Sequence, residues 1–248
     1  FYEKALGLHK EIGGAYPEGH PAWKAAQHGE SIDLTGLGLV YAALGDARRA
    51  IGYYKQALAI SREIDDRNGE GYELGNIGNA YLQLGNAQRA IKCYEQALTI
   101  RREIGDRSGE GNDLTNLGNA YAELGDVRQA FGFYEQALAI HQEIGDRSGE
   151  GYDLGNLGEA HRRLDDTQRA MRYFEQALAI PREIGDRMGE GIAQSNIGTT
   201  YAQLGDARLA IVYCEQALAI ACEIGDRSGE GSRLSNLGNA YLQLGDAW

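Results

Sequence analysis

The sequence predicts an all-α chain, a row of antiparallel helices, on three observations. A Gly-Asp tag or a close variant recurs every twenty residues: at 45–46, 105–106, 125–126, 145–146, 185–186, 205–206, 225–226 and 245–246, with Gly-Asn at 85–86 and Asp-Asp at 65–66 and 165–166. The 17–18 residues between tags show no strand-like alternation, and that length makes a helix of roughly 27 Å at 1.5 Å per residue. Alternate inter-tag segments resemble each other and successive ones do not: RSGEGNDLTNLGNAYAELG (107–125) is one type and VRQAFGFYEQALAIHQEIG (127–145) the other.

Each tag has a chemical reason. A glycine just past a helix end supplies the left-handed residue that closes it. The Asp or Asn beside it accepts the orphan N–H groups of the next helix. Because the two segment types alternate, the repeat is a helix pair of 40 residues, and such a period marks a solenoid. The elements follow in order. A lone second-type helix occupies 1–12, and 13–29 is an irregular loop carrying Pro17, Pro21 and Trp23, with room for a short extra turn. Five pairs begin near 30, 66, 106, 146 and 186 and run to 226, and a lone first-type helix (about 227–244) lies in the closing partial repeat, 227–248. The whole reads as one continuous solenoid domain. Phe1 starts inside a second-type helix and Trp248 follows directly on a tag, so the expectation is a fragment of a longer array, its end helix exposing Leu234, Leu237 and Tyr241.

Within a pair the apolar positions fit two facing helices. Leu114, Leu117 and Tyr121 stand at i, i+3 and i+7, one stripe of a helix. Ala130, Tyr134, Ala137 and Leu138 form the opposing stripe. Glycine recurs mid-helix at 38, 78, 118, 158, 198 and 238, where it costs about 1 kcal/mol relative to alanine. That cost is understandable if helix backbones approach closely there.

These residues resemble the signature of the tetratricopeptide repeat family. Leu114, Leu117, Gly118, Tyr121, Ala130, Tyr134 and Ala137 match its spacing, as do Leu74, Ile77, Gly78, Tyr81, Ala90, Tyr94 and Ala97. The resemblance covers nearly the whole chain. The first tryptophan of the signature is leucine here, or Gln194 in the fifth pair, the terminal proline is absent, and the period is 40 rather than 34. The six extra residues suit a longer first helix. Similar 40-residue versions occur in Pins-type adaptors and in prokaryotic multidomain signalling proteins, and YPEGHP (16–21) looks like a loop of kinesin-light-chain-like arrays. The resemblance implies a right-handed superhelical solenoid that binds a protein or peptide on its concave face.

Composition narrows the function. No run of 18 apolar residues is present, so no membrane span is expected. A net charge of −12 argues against a nucleic-acid partner, which needs a basic stripe. Cys93, Cys214 and Cys222 fit no zinc spacing, Cys93 and Cys214 read as buried small hydrophobes, and the odd count without a secretion signal points to a reducing cytoplasm. His9, His20, His28, His141 and His161 read as scattered over non-equivalent positions. GDRSGEG (105–111) lacks the lysine and preceding strand of a phosphate loop. Arg107 and Glu110 can pair locally, and no acid-base constellation stands out. No enzyme and no cofactor are expected.

Mapping the family's groove positions gives Tyr72, Asn76, Asn79 and Gln83, then Asn112, Asn116, Asn119 and Glu123, then Tyr152, Asn156, Glu159, Arg162 and Arg163, then Asn196 and Thr199, and finally Asn236 and Asn239. Asparagine amides both donate and accept, so a ladder of them can grip a peptide backbone. The alternative stays open that duplication copied asparagines that merely bridge helices. Gly75, Thr115, Gly155 and Ser195 stand where a chaperone-tail carboxylate clamp needs lysine, which disfavours that clamp. The fourth pair departs from its siblings at Glu159, His161, Arg162 and Arg163, concentrating charge at mid-groove and favouring an acidic ligand side chain. The reading is a protein-interaction scaffold. Two alternatives are a sensor or autoinhibitory arm of a larger signalling NTPase or protease, and a solenoid that self-associates through exposed end helices.

Overall fold

The computed structural model describes residues 1–245; Asp246 of the last tag and Trp248 lie outside the described residues. Among the described residues the chain forms twelve α-helices and no strand. They are α1 (Tyr2–Gly14), α2 (Pro21–Ala43), α3 (Ala47–Glu63), α4 (Arg67–Gln83), α5 (Ala87–Ile104), α6 (Arg107–Glu123), α7 (Val127–Ile144), α8 (Arg147–Arg163), α9 (Thr167–Ile184), α10 (Arg187–Gln203), α11 (Ala207–Ile224) and α12 (Arg227–Leu244). They fall into two compact units, one from Phe1 to Asp126 and the other starting at Val127. Within each unit consecutive helices pack on one another. First-type helices also touch the first-type helix of the next pair (α4 with α6, α8 with α10, α10 with α12). Among the described residues of each unit, second-type helices make no comparable contact among themselves, so the first-type helices form the inner side of each stack.

The tags do double duty at the junctions. The Gly45 N–H donates to the Ala42 carbonyl at 3.0 Å and the Asp46 N–H to the Tyr41 carbonyl at 2.9 Å. Those two bonds are a Schellman closure, with Gly45 left-handed at φ +80°. The Asp46 carboxylate then accepts from the Arg49 N–H at 3.1 Å and opens α3. Asp106 repeats this, its N–H on the Arg101 carbonyl and its carboxylate on the Gly109 N–H, both at 2.9 Å. Where the tag is Asp-Asp the first aspartate is itself left-handed, at φ +56° for Asp65 and +58° for Asp165.

Two expectations about length change. Helices α4 and α5 have 17 and 18 residues, so the extra six residues of the repeat are not confined to the first helix. The irregular stretch at 13–29 is mostly helical: α1 runs to Gly14 and α2 starts at Pro21. Proline suits a first helical position because its missing N–H would have no partner there. The His20 ring accepts from the Ala22 N–H at 3.1 Å, and Tyr16 stacks on His20 with ring centroids 4.8 Å apart.

The mid-helix glycines are sockets for rings rather than points of backbone contact. A Cβ added at Gly38 or Gly78 would collide with the ring of Tyr54 or Tyr94, and at Gly158 it would stand 2.6 Å from the Phe174 ring. These rings are buried and anchor the apolar clusters, Tyr54 among Leu74 and Ile77, Phe174 among Ala193 and Ile197. Where Cys214 replaces the ring, backbones do draw together: a Cβ at Gly198 would lie 3.3 Å from the Ala210 carbonyl oxygen. Cys214 is therefore a buried small hydrophobe, whereas Cys93 is only half-buried. In α12 the expected apolar edge differs from the one read: Leu237 and Tyr241 pack against Ala210, Ile211 and Ala240, and it is Leu234, Leu242 and Leu244 that are exposed.

Replacing Gly105 by alanine is expected to lower the urea-unfolding free energy by about 1 kcal/mol, the left-handed penalty of a side chain. Asp65→Gly, which removes that penalty, leaves stability equal or higher in the same titration. The ring sockets give a second expectation. Gly158→Ala destabilises by about 1–3 kcal/mol through overpacking against Phe174. Gly238→Ala, with nothing within 4 Å of the added Cβ, stabilises by up to about 1 kcal/mol through helix propensity. Equal effects at the two sites would refute the socket account.

Candidate functional site

The expected groove residues lie on the first-type helices, and the structure divides them by what they touch. On α4 the Asn79 carbonyl oxygen accepts the Tyr94 hydroxyl at 2.7 Å, a bond inside the helix pair. Gln83 donates to the Ala42 carbonyl on α2 at 3.3 Å. On α12 the Asn236 amide donates to the Ser195 hydroxyl on α10 at 3.2 Å. Thr199 donates to the Asn196 carbonyl within its own helix at 2.9 Å. Asn76 and Asn156 behave differently: their Nδ2 groups are buried without a hydrogen-bond partner. On α6, Asn112 and Glu123 are exposed and Asn116 and Asn119 half-buried.

The structure gathers several of these residues into clefts. One of about 560 Å³ between α8 and α10 takes Tyr152, Asn156, Glu159, Arg163 and Asn196, together with Pro181, Met188 and Ile192. Another of about 430 Å³ takes Arg162, Thr199, Asn236 and Asn239. Tyr72 lies on a third, of about 370 Å³, with Ile32 and Thr35 of α2.

The mid-groove charge is smaller than its composition. Glu159 receives both guanidinium arms of Arg162 at 2.7 Å and Arg163 at 3.0 Å. Burial raises its pKa, but the two arginines outweigh that and hold it below the usual carboxylate range. His161 adds no charge. It occupies the position of Tyr41 and Tyr201 in sibling pairs, stacks on Tyr173 with centroids 5.3 Å apart and meets Phe131 edge-on at 5.0 Å. Desolvation lowers its pKa below the ordinary value, against the pull of Asp166.

A buried polar column was missed in the sequence. In α5 and α7 the last turn faces the residue twelve positions on, in the next first-type helix: Arg101 with Asp113, and His141 Nδ1 with Asp153 at 2.7 Å. His9 bonds Asp33 at 2.7 Å in the same way, across the longer first connection. His9 and His141 are thus equivalent, contrary to the scattered reading, as aligning FYEKALGLHKEIG with FYEQALAIHQEIG reveals. The His141–Asp153 pair is 1% and 0% exposed, closed to any substrate, and staples neighbouring repeats. In the same column Glu73 is 2% exposed, bonded by the Thr35 hydroxyl, and its carboxyl is raised to about 7, mainly by burial. At 181 and 193 the column turns apolar, as Pro181 and Ala193. Beside the column, Glu110 is clamped by Arg102 and Arg107 at 2.7 and 2.5 Å, so the local pair read from sequence has a second cation.

No described helix is long and apolar enough to cross a membrane, and no group of three or more metal-ligating side chains occurs among the described residues. The tetratricopeptide repeat model matches residues 30–103, 72–143, 112–183 and 190–248. No curated protein matches the chain. Solved structures share the fold at low identity. BtubC from P. vanneervenii is 21% identical with a TM-score of 0.76, over 90% of this chain and 89% of that one. A signal transduction ATPase with numerous domains and a tetratricopeptide repeat sensor, from Pyrococcus horikoshii, is 22% identical with a TM-score of 0.75, over 100% of this chain and 37% of that one. The Rap conjugation gene regulator of plasmid pLS20, in complex with a Phr peptide, is 14% identical with a TM-score of 0.71, over 88% and 60%.

Glu73 makes stability depend on pH. Its folded pKa of about 7 lies above the ordinary 4.5, so the folded state holds a proton that the unfolded state has released. Its contribution is therefore fully present below about pH 4.5 and lost as pH rises through about 7. Glu73→Gln keeps the acceptor for Thr35 without the charge. Relative to the parent it should gain on the order of 2 kcal/mol at pH 8 and little at pH 4.5, by urea unfolding at both. An equal change at both pH values would count against the assignment.

Proposed function

The chain belongs to the tetratricopeptide repeat family, and on that premise we propose that it is a protein-interaction module gripping an extended peptide segment of a partner along its first-type helices. The observation that carries the proposal is the gathering of Tyr152, Asn156, Glu159, Arg163 and Asn196 into one cleft on the first-type helices α8 and α10. Asparagine amides both donate and accept, so they can pair with a peptide backbone laid in such a cleft. Asn79 and Asn236 serve the scaffold instead, through Tyr94 and Ser195. The Rap regulator, with its bound peptide, supports the use of this fold for peptide capture. Binding rather than catalysis accords with polar pairs that lie buried between helices. The three free cysteines support a cytoplasmic setting.

A second reading is a sensor or autoinhibitory arm of a larger signalling protein. It is favoured by the match of the whole chain to 37% of the Pyrococcus ATPase, which carries a sensor of this fold. Both readings use the same groove; the surrounding open reading frame separates them.

The test begins with a peptide selected against the chain by display. Asn76→Ala and Asn156→Ala should each weaken its binding by about 0.5–1.5 kcal/mol with the melting temperature unchanged. Asn79→Ala should lower the melting temperature, since it strands the Tyr94 hydroxyl. Full affinity in both Asn76→Ala and Asn156→Ala, measured by calorimetry, would overturn the groove reading.

A further inference from the structure

The buried polar column lapses in two ways. At 181 and 193 both members are replaced, by Pro181 and Ala193. At 61 and 73 only the base is missing: Ser61 stands where Arg101 and His141 stand in the next two repeats, while Glu73 keeps the place of Asp113 and Asp153. The other acids of the column have a basic partner, Asp33 in His9, Asp113 in Arg101 and Asp153 in His141. Among the described residues Glu73 has none. It is 2% exposed, one of its oxygens accepts the Thr35 hydroxyl, and the other, Oε2, is buried without a hydrogen-bond partner. A carboxyl group so placed is costly to ionise until a cation reaches it.

The repeat one step on shows what such a place holds. The Arg101 guanidinium donates to the Asn68 amide oxygen at 2.7 Å and to the Asp106 carboxylate at 2.8 Å, and lies 3.9 Å from the Asp113 carboxylate. The residues forty positions earlier are His28, Asp66 and Glu73, and all three line the cleft of about 370 Å³ between α2 and α4. The arginine stem runs over Gly109, where an added Cβ would stand 2.5 Å from its Cδ and Nε. Over Gly69, residue 61 supplies no more than a hydroxyl, 2.8 Å from an added Cβ and 3.2 Å from the Ser31 hydroxyl. Asp66 uses one oxygen to cap α4 through the Gly69 N–H at 2.9 Å, and its other oxygen meets His28 Nδ1 at 3.4 Å. The His28 side chain is 55% exposed and stands at the mouth. Among the described residues no lysine or arginine lines this cleft.

We propose that the α2–α4 cleft is a guanidinium site: it takes the arginine side chain of a ligand, with Glu73 and Asp66 as its anionic partners and a His28 ring nitrogen in the role of the Asn68 oxygen. The ligand supplies the group that Ser61 lacks and that the neighbouring repeat carries in its own chain. A guanidinium suits the place better than an ammonium, because its planar fork of donors meets several separated acceptors at once. Ile32 and Tyr72, both exposed at the cleft, give the aliphatic stem an apolar wall. The site goes beyond the groove reading and does not rest on it, since it needs a cationic head group and no backbone along the helices.

The probe is blocked arginine, acetyl-Arg-methylamide, titrated into the full chain by calorimetry at pH 8, above the value of about 7 to which burial raises Glu73. The expected result is saturable binding, at least fivefold weaker for acetyl-Lys-methylamide and absent for acetyl-citrulline-methylamide, which has the shape without the charge. Glu73→Gln keeps an acceptor for Thr35 and should weaken binding at least fivefold. Ser61→Arg, which rebuilds the sibling arginine, should abolish binding and raise the melting temperature at pH 8, and the rise should vanish when Glu73→Gln is added. If Ser61→Arg fails to fold, Glu73→Gln alone decides. Free arginine is the last arm: tighter binding of the blocked form assigns the side chain to a protein partner, tighter binding of the free form to the amino acid, and either supports the site. No saturable binding, equal binding of the arginine and citrulline probes, or unchanged affinity in Glu73→Gln overturns the proposal. The groove reading fails by a different sign: selected peptides would ignore Asn76→Ala and Asn156→Ala while the arginine titration stayed intact.

Discussion

Every longer-range contact depends on how the chain ends one helix and starts the next. A helix leaves four N–H groups and four carbonyls unpaired at its termini, and this chain meets that demand ten or more times in a short span. It does so with two residues: the first, glycine or at 65 and 165 aspartate, turns left-handed, and the second, aspartate or at 86 asparagine, closes the helix behind with its N–H and caps the helix ahead with its side-chain oxygen. Because the junction is so short and regular, helix lengths hold at 17 or 18 residues from α3 onward. Facing positions therefore recur at constant separations along the chain.

Two columns rest on that constancy. Mid-helix glycine meets a ring sixteen positions on: Gly38 with Tyr54, Gly78 with Tyr94, Gly158 with Phe174. The polar column meets twelve positions on, Arg101 with Asp113 and His141 with Asp153. Both columns change by paired substitution. Cys214 fills the ring position more thinly and lets backbones close on Gly198. Pro181 and Ala193 replace a charged pair together, so neither leaves an uncompensated buried charge, a defect worth several kcal/mol. Repeats thus vary at either column without losing the stack.

The asparagines illustrate how one residue type serves two purposes. Asn79 exists in partnership with a tyrosine: where Phe174 replaces it, Glu159 stands at the asparagine position and turns to Arg162 and Arg163 instead. Asn76 and Asn156, three residues earlier on the helix, have no such partner. Repetition in the sequence makes the two sets look alike, and only their neighbours across the helix pair distinguish them.

The sequence by itself determined the helical class, the forty-residue period, the capping chemistry and the face of each helix that packs, because these depend on residues close together in the chain. It also carried the equivalence of His9 and His141 and the twelve-residue pairing, though these become visible only once a partner across the interface is known. The start of α2 at Pro21, the role of glycine as a ring socket, and the half-burial of Leu237 and Tyr241 were decided by tertiary structure. So was the fate of each groove residue. Burial and hydrogen bonding are properties of pairs of surfaces, and two identical asparagines acquire different chemistry when one faces a tyrosine hydroxyl and the other is buried without a partner for its Nδ2.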